Sequence, residues 1–329
     1  MRAIRQHEFG PADRLRQEEV QDPAPAEGQV RIRVAVAGVH LLDTTIRSGT
    51  NGGPFPLPEL PMTPGREVAG VVDELGAGVD GYWLGKRVVA HLGPASGGYA
   101  ELAVVAASSL HELSAEVDFA AAVAMIGTGR TAVGILHVAA LSADDVVLVP
   151  AAAGGIGTLL VQEARRVGAM VIGLARGQDK VELIRSLGAD AAVDYSGEDW
   201  SATVRSTLDG REPSVVLDGV GGTVGQTALE MLGIGGRVIT FGWSSGEPIR
   251  ITTEILYSRG LTAAVAVGPR LLRRPGGLRG LETESLAALA QGRLSPVVHE
   301  PFPLAEAASA HAALEGRATT GKVVLTPNR

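Results

Sequence analysis

The sequence predicts an α/β protein in two parts, a doubly wound parallel sheet and a β-rich domain. Two observations predict it. An apolar β-branched run, Val146-Val147-Leu148-Val149, enters a small-residue turn ending at Gly157, and Thr158 to Val167 follows as a helix. From about Ala120 onward, helices alternate with short apolar strands, the texture of parallel pairing with right-handed crossovers.

The first third is β-rich. Val30 to Val36 sets Arg31 and Arg33 against Ile32 and Val34, as a half-buried strand does, and Val68 to Leu75 and Arg87 to Leu92 are further strands. Ser48 to Pro58 is a loop, because proline and glycine at that density sustain neither helix nor central strand; loops of that length often line a site. Phe119 to Leu141 reads as a helix broken at Gly127-Thr128-Gly129. After the glycine turn, strands Val171 to Ala175, Ala191 to Val193, Ser214 to Asp218 and Arg237 to Gly242 are separated by helices Gln178 to Leu187, Asp199 to Leu208 and Thr223 to Leu232. Gly188 ends the first of these helices as a cap, and Asp190 and Asp194 bracket the short strand. Glu284 to Gln291 and Leu304 to Leu314 read as helices and Lys322 to Leu325 as a strand. The expected domains are 1–120, 121–260 and 261–329, the last returning to the first.

Composition narrows the function. At 329 residues the chain exceeds one ordinary core. A net charge of −7, with no basic stripe, argues against nucleic acid as partner. With no cysteine, disulfides, thiolate catalysis and thiolate zinc sites are ruled out. The N-terminus carries no signal-like apolar core, and no stretch reaches the ~20 apolar residues of a membrane span. A cytoplasmic protein with no membrane partner is the expectation.

The glycine turn carries the chemistry. A diphosphate must approach the backbone closely there, which only small residues permit. Gly154 and Gly157 match the last two glycines of G-x-G-x-x-G, with Ala152 at the first; Ala153, Gly154, Gly155, Ile156 and Gly157 are the candidate cradle. The acidic residue that selects the unphosphorylated coenzyme, about 20 positions on, is missing. Ala175 stands there, with Arg176 and Lys180 beside it. A guanidinium and an ammonium attract a 2′-phosphate, so NADPH is expected over NADH. Solvated charges at a helix start are the alternative.

Segments along most of the chain resemble one family. Gly38 to Gly49, Pro64-Gly65-Arg66-Glu67-Val68-Ala69-Gly70-Val71-Val72, Gly97-Gly98-Tyr99-Ala100-Glu101, the Ala-Ala-Gly-Gly-Ile-Gly turn and Thr320-Gly321-Lys322-Val323-Val324-Leu325 are similar to the quinone oxidoreductase (zeta-crystallin-like) branch of the medium-chain dehydrogenase/reductase superfamily. The resemblance implies a GroES-like catalytic domain split around a Rossmann domain, and a homodimer. It implies cofactor contacts from Thr131, Tyr195 and the Phe241-Gly242-Trp243-Ser244-Ser245-Gly246 loop that borders the nicotinamide, with Phe241, Gly242 and Ser245 as its contacting residues; for Tyr195 an ordinary strand-end aromatic is the alternative. The catalytic zinc ligands of related alcohol dehydrogenases fall on or near His40, Arg66 and Gly127, a set that cannot hold zinc, so no metal is expected.

Without a Lewis acid, a conjugated acceptor suits hydride transfer better than an isolated ketone. The expected substrate is therefore a quinone or α,β-unsaturated carbonyl. His40 is the first candidate donor to the developing oxyanion, with Thr45 and Thr128 behind it. Relatives commonly carry asparagine and tyrosine at positions 40 and 45, and this chain departs from both. A histidine merely bonded to Asp43 or backbone is the alternative. Asp43 is expected to shape its loop, and Arg66 either to pair with Glu67 or Asp43 or to anchor a substrate anion. Two other functions stay open: an enoyl-thioester reductase, with Arg130, Arg66 or the Arg270-Arg273-Arg274 cluster taking phosphopantetheine, and a non-catalytic NADPH-binding protein.

Overall fold

The computed structural model describes residues 1–50, 56–93 and 96–327. The chain divides into two compact units, one joining Met1–Gly127 to Pro296–Arg329, the other the continuous run Thr128–Ser295.

The first unit is built on the strand Gln29–Val39, which pairs antiparallel with Glu67–Leu75, Leu102–Ala106 and Val323–Thr326. Beyond these, Arg87–His91 joins Glu67–Leu75, and Leu110–Glu112 joins Arg87–His91. Alternation sets the burial: Val30, Ile32 and Val34 are at most 1% exposed, and they pack with Leu110, Val323 and Leu325 in one core. After Gln29–Val39 the chain turns into a helix, Leu41–Ser48, that the strand-and-loop reading of this segment does not contain. Asp43 starts it by accepting the His40 N–H (2.9 Å), and Gly49 ends it in the left-handed region, φ 80°. The loop read over Ser48 to Pro58 falls in part, at 51–55, outside the described residues.

The second unit holds a six-stranded parallel sheet. Its order is Ala191–Asp194, Met170–Ala175, Val146–Val149, Val215–Asp218, Arg237–Thr240 and Thr262–Val265. That is the 3-2-1-4-5-6 order of a doubly wound dinucleotide fold, with its switch point between Val146–Val149 and Val215–Asp218. All four residues of Val146–Val149 are buried, as a central parallel strand requires. The sequence boundaries hold to within two or three residues in this sheet, with one difference. The expected return to the first domain at 261 lies at 295/296 in the two units, since Thr262–Val265 adds a sixth strand beside Arg237–Thr240 and Gly277–Ala290 packs on Arg130–Ala139. The strand escapes a hydrophobic pattern because it is an exposed edge.

The helix break at Gly127-Thr128-Gly129 is corrected too. Phe119–Ala124 continues through a π-helical turn, Met125–Gly129, into Arg130–Ala139 without interruption. A wider turn absorbs the two glycines in place of a break. The continuous helix, Phe119–Ala139, is long and apolar enough by length and composition to cross a membrane, contrary to the sequence reading, and it is mostly buried within the protein.

Candidate active site

In the second unit, the small residues after Val149 bring the helix Gly155–Arg166 close against the sheet. A Cβ on Gly157 would run into the Ala151 carbonyl oxygen and stand 2.7 Å from Ala152 Cα, whereas one on Gly154 would meet only the Ala151 oxygen, at 3.4 Å. Ala152 N–H donates to the Leu174 carbonyl (2.9 Å), which pins the turn to the neighbouring strand. Ala153, Gly154, Gly155, Ile156 and Gly157 therefore form one bend, and the first N–H groups of a twelve-residue helix lack helical acceptors there.

At the end of Met170–Ala175, Arg176 is exposed and its guanidinium carbon stands 6.0 Å from the centre of the half-buried Tyr195 ring. Lys180 follows one turn into the helix Gln178–Ser186. Asp194, on which the Arg176 charge acts, accepts the N–H groups of Gly177 (3.1 Å) and Ser196 (2.8 Å) at its carboxylate. Those bonds to Ser196 and Gly177, with Arg176 nearby, hold its carboxyl below the ordinary value. Across the switch point, Asp218 accepts from Val220 and Gly221, and burial pushes its carboxyl up against those bonds. The Phe241 to Ser245 loop is sewn to the Gly219 segment, Ser244 N–H to Gly219 O and Ser245 N–H to Val220 O. Phe241, Gly242 and Ser245 thus lie beside the carboxyl end of the sheet. Thr131 sits half-buried near the start of Arg130–Ala139, and Thr128 is buried in the π-helical turn. Arg130 pairs with Glu282 (2.6 Å) and Arg274 with His137 (3.1 Å), so two of the arginines considered for phosphopantetheine are engaged.

In the first unit, His40 Nε2 lies 2.7 Å from Glu67 Oε2 and 2.9 Å from Lys322 Nζ, and Lys322 Nζ lies 2.8 Å from the same carboxylate oxygen. The buried Glu67 carboxylate is thus held by the imidazole and the ammonium together. Burial alone pushes its carboxyl up; His40 and Lys322 outweigh that and hold it far below the ordinary carboxylate value. Sequence reasoning named neither Glu67 nor Lys322 as functional, although each is a lone charge at the edge of an apolar strand. Such charges are buried only when paired.

A second polar chain runs beneath. Asp43 Oδ2, besides the His40 N–H, accepts the Tyr99 hydroxyl (3.1 Å), which in turn accepts from His311 Nε2 (3.1 Å). Asp43 thus takes the loop-shaping part expected of it. Arg66 Nε is 3.8 Å from Asp43 Oδ1, a loose pairing. Thr45 Oγ1 donates to the Leu41 carbonyl of its own helix (3.2 Å).

The residues do not fit a zinc ion. Gly127 offers no ligand, and a Cβ there would run into the Glu67 carboxylate, which takes up that space. An ammonium already lies against both Glu67 and His40. Among the described residues no three His, Cys, Asp or Glu side chains are grouped to hold a metal.

The family of alcohol dehydrogenase GroES-like domains matches residues 26–115, and that of zinc-binding dehydrogenases residues 155–270. The chain is 33% identical to a quinone oxidoreductase of Pseudomonas aeruginosa, with 97% of each chain covered. It is 35% identical to a 2-haloacrylate reductase of a Burkholderia species, over 98% of this chain and 97% of that one. In structure it is similar to the quinone oxidoreductase of Escherichia coli complexed with NADPH, with a TM-score of 0.87, 30% identity, and 99% and 100% of the two chains covered. The chain therefore belongs to the quinone oxidoreductase branch of the medium-chain dehydrogenase/reductase superfamily.

Proposed function

We propose that the chain is an NADPH-dependent reductase that delivers hydride to a quinone or an α,β-unsaturated carbonyl without zinc. The observation that carries this is the glycine bend at the switch point of a 3-2-1-4-5-6 sheet, with Ala175 where a 2′-hydroxyl-binding acid would stand and Arg176 beside it. The relatives that are quinone and 2-haloacrylate reductases, and the E. coli enzyme with NADPH, support the same reading.

NADPH, when bound, supplies the hydride. The N–H groups at Gly155 to Gly157 would take its bridging phosphates, Arg176 and Lys180 the 2′-phosphate, and Tyr195 the adenosine side. Thr131, Phe241, Gly242 and Ser245 would border the nicotinamide. His40, a quarter exposed at its side chain, would hydrogen-bond the substrate oxygen, whereas the Thr45 hydroxyl is already given to the Leu41 carbonyl; Thr128, in the second unit, is the other candidate donor. A conjugated acceptor spreads the arriving charge onto oxygen, which suits a site whose donors do not fit a metal.

Purified protein is expected to consume NADPH with 9,10-phenanthrenequinone and to prefer it to NADH. Arg176→Ala should weaken NADPH by about 10- to 100-fold and leave NADH unchanged, as loss of a charge-assisted phosphate contact does. No turnover with quinones or enones would overturn the reading.

We also infer a homodimer. Thr262–Val265 is the sheet edge, with no strand on its outer side among the described residues, and Val265 is 58% exposed on it. Light scattering should give twice the chain mass, and Val265→Lys should reduce it to one; a monomeric wild type sinks this inference.

A further inference from the structure

We propose that Lys322 is the positioning residue for His40 and the fixed positive charge beside Glu67 in the first unit's site. The proposal rests on the reading of His40 as the donor to the substrate oxygen.

Glu67 is wholly buried and Lys322 is 3% exposed. A buried ion pair often stabilises no more than an apolar pair of similar volume, so its presence here asks for another use. The chain also leaves out side chains to accommodate it. A Cβ on Gly38 or on Gly127 would collide with the Glu67 carboxylate, and one on Gly38 would also crowd Lys322 Cε at 3.1 Å. Both charges converge on one atom, His40 Nε2, and of the three side chains His40 alone reaches the surface appreciably, at 25% exposure against 0% and 3%. The ion pair thus acts outward only through the imidazole.

The surrounding charges define what it does. Glu67 faces the ring from the strand Glu67–Leu75, and Lys322 from the start of Val323–Thr326. Asp43 holds the His40 N–H, Arg66 stands near Asp43, and His91 acts on Glu67 from Arg87–His91. With Lys322 protonated, Glu67 is already balanced and does not bind the ring as its sole counter-charge. The imidazole is then oriented at Nε2 but not locked into an ion pair of its own, and it faces a substrate oxygen that gains negative charge as hydride arrives. Without Lys322, the whole charge of Glu67 falls on His40.

The test uses Lys322→Met, Lys322→Arg and His40→Asn, alone and combined, with kcat and KM for 9,10-phenanthrenequinone followed from about pH 6 to 9. Lys322→Met should lower kcat about tenfold or more, displace the pH profile to higher pH, and leave NADPH affinity within about twofold. Lys322→Arg should recover most of the rate and the original profile. In the His40→Asn background, either change at 322 should have no further effect, because positioning acts through the missing ring. A Lys322→Met profile that superposes on the wild type, or an undiminished effect in His40→Asn, overturns the proposal. Should Lys322→Met not fold, Lys322→Gln completes the same cycle. If the wild type reduces nothing, the reading of function fails. The ring ¹⁵N signals of His40 in the resting protein still decide this proposal: a shift on losing the ammonium supports it, and unmoved signals overturn it.

Discussion

Gly157→Val is expected to abolish NADPH binding and to destabilise the second unit. The side chain would press on the Ala151 oxygen and on Ala152 Cα at 2.7 Å, both backbone. Neither atom can give way, because Ala152 is hydrogen-bonded to Leu174 in the adjacent strand. The helix Gly155–Arg166 must then lift from the sheet, at a cost of about 1–3 kcal/mol for overpacking. Lifting it also moves the helix N-terminus that would hold the phosphates. Calorimetry should show NADPH affinity reduced by about 100-fold or more, as expected when the phosphate cradle is displaced. Gly154→Ala is the contrast, since its Cβ would meet only the Ala151 oxygen at 3.4 Å, and its melting temperature should stay near that of the wild type. Wild-type affinity in Gly157→Val would show that the bend does not carry the nucleotide.

Acid is expected to weaken the first unit through His311 well before the carboxylates titrate. This ring is fully buried, and desolvation pushes its pKa from 6.5 down to about 4. The unfolded chain therefore binds a proton near pH 6.5, whereas the folded one does so only near 4. Stability is full above that window and falls as pH drops through it. Between about pH 7 and pH 5 the loss from this one group is about 2 kcal/mol. Tyr99 donates to Asp43, so it accepts from His311 Nε2–H, and Nδ1 is left without a hydrogen-bond partner, an orphan acceptor that a neutral ring tolerates. Urea unfolding at both pH values should show that slope in the wild type and lose it in His311→Gln. Equal slopes would mean that His311 is hydrated or already charged.

What the sequence revealed follows physical lines. The strand, turn and helix around Gly154 to Gly157 were legible because local period and small-residue spacing are local facts. The acid missing at Ala175, with Arg176 next to it, is a local fact of the same kind. The edge strand Thr262–Val265 was not, because half-exposed Thr-Ala-Ala-Val carries no alternation and owes its place to the neighbour Arg237–Thr240. The helix Leu41–Ser48 was hidden by its polar composition and is set by its two ends, Asp43 and Gly49. Lys322 was the deepest omission: it meets His40 from 282 residues away, and no window along the chain contains that distance. Of the residues named for the site, His40 is found in a charged cluster, while Thr45 turns its hydroxyl back to its own helix.

The way the first unit is threaded bears on how the chain is made. Its long strand Gln29–Val39 waits for a partner, Val323–Thr326, that the ribosome delivers only after the entire second unit. The second unit, being uninterrupted, has all its parts in hand earlier. Nascent chains are thus expected to gain their parallel sheet first, while the earlier-made segment holds apolar strand edges open and depends on chaperones until the closing strand arrives.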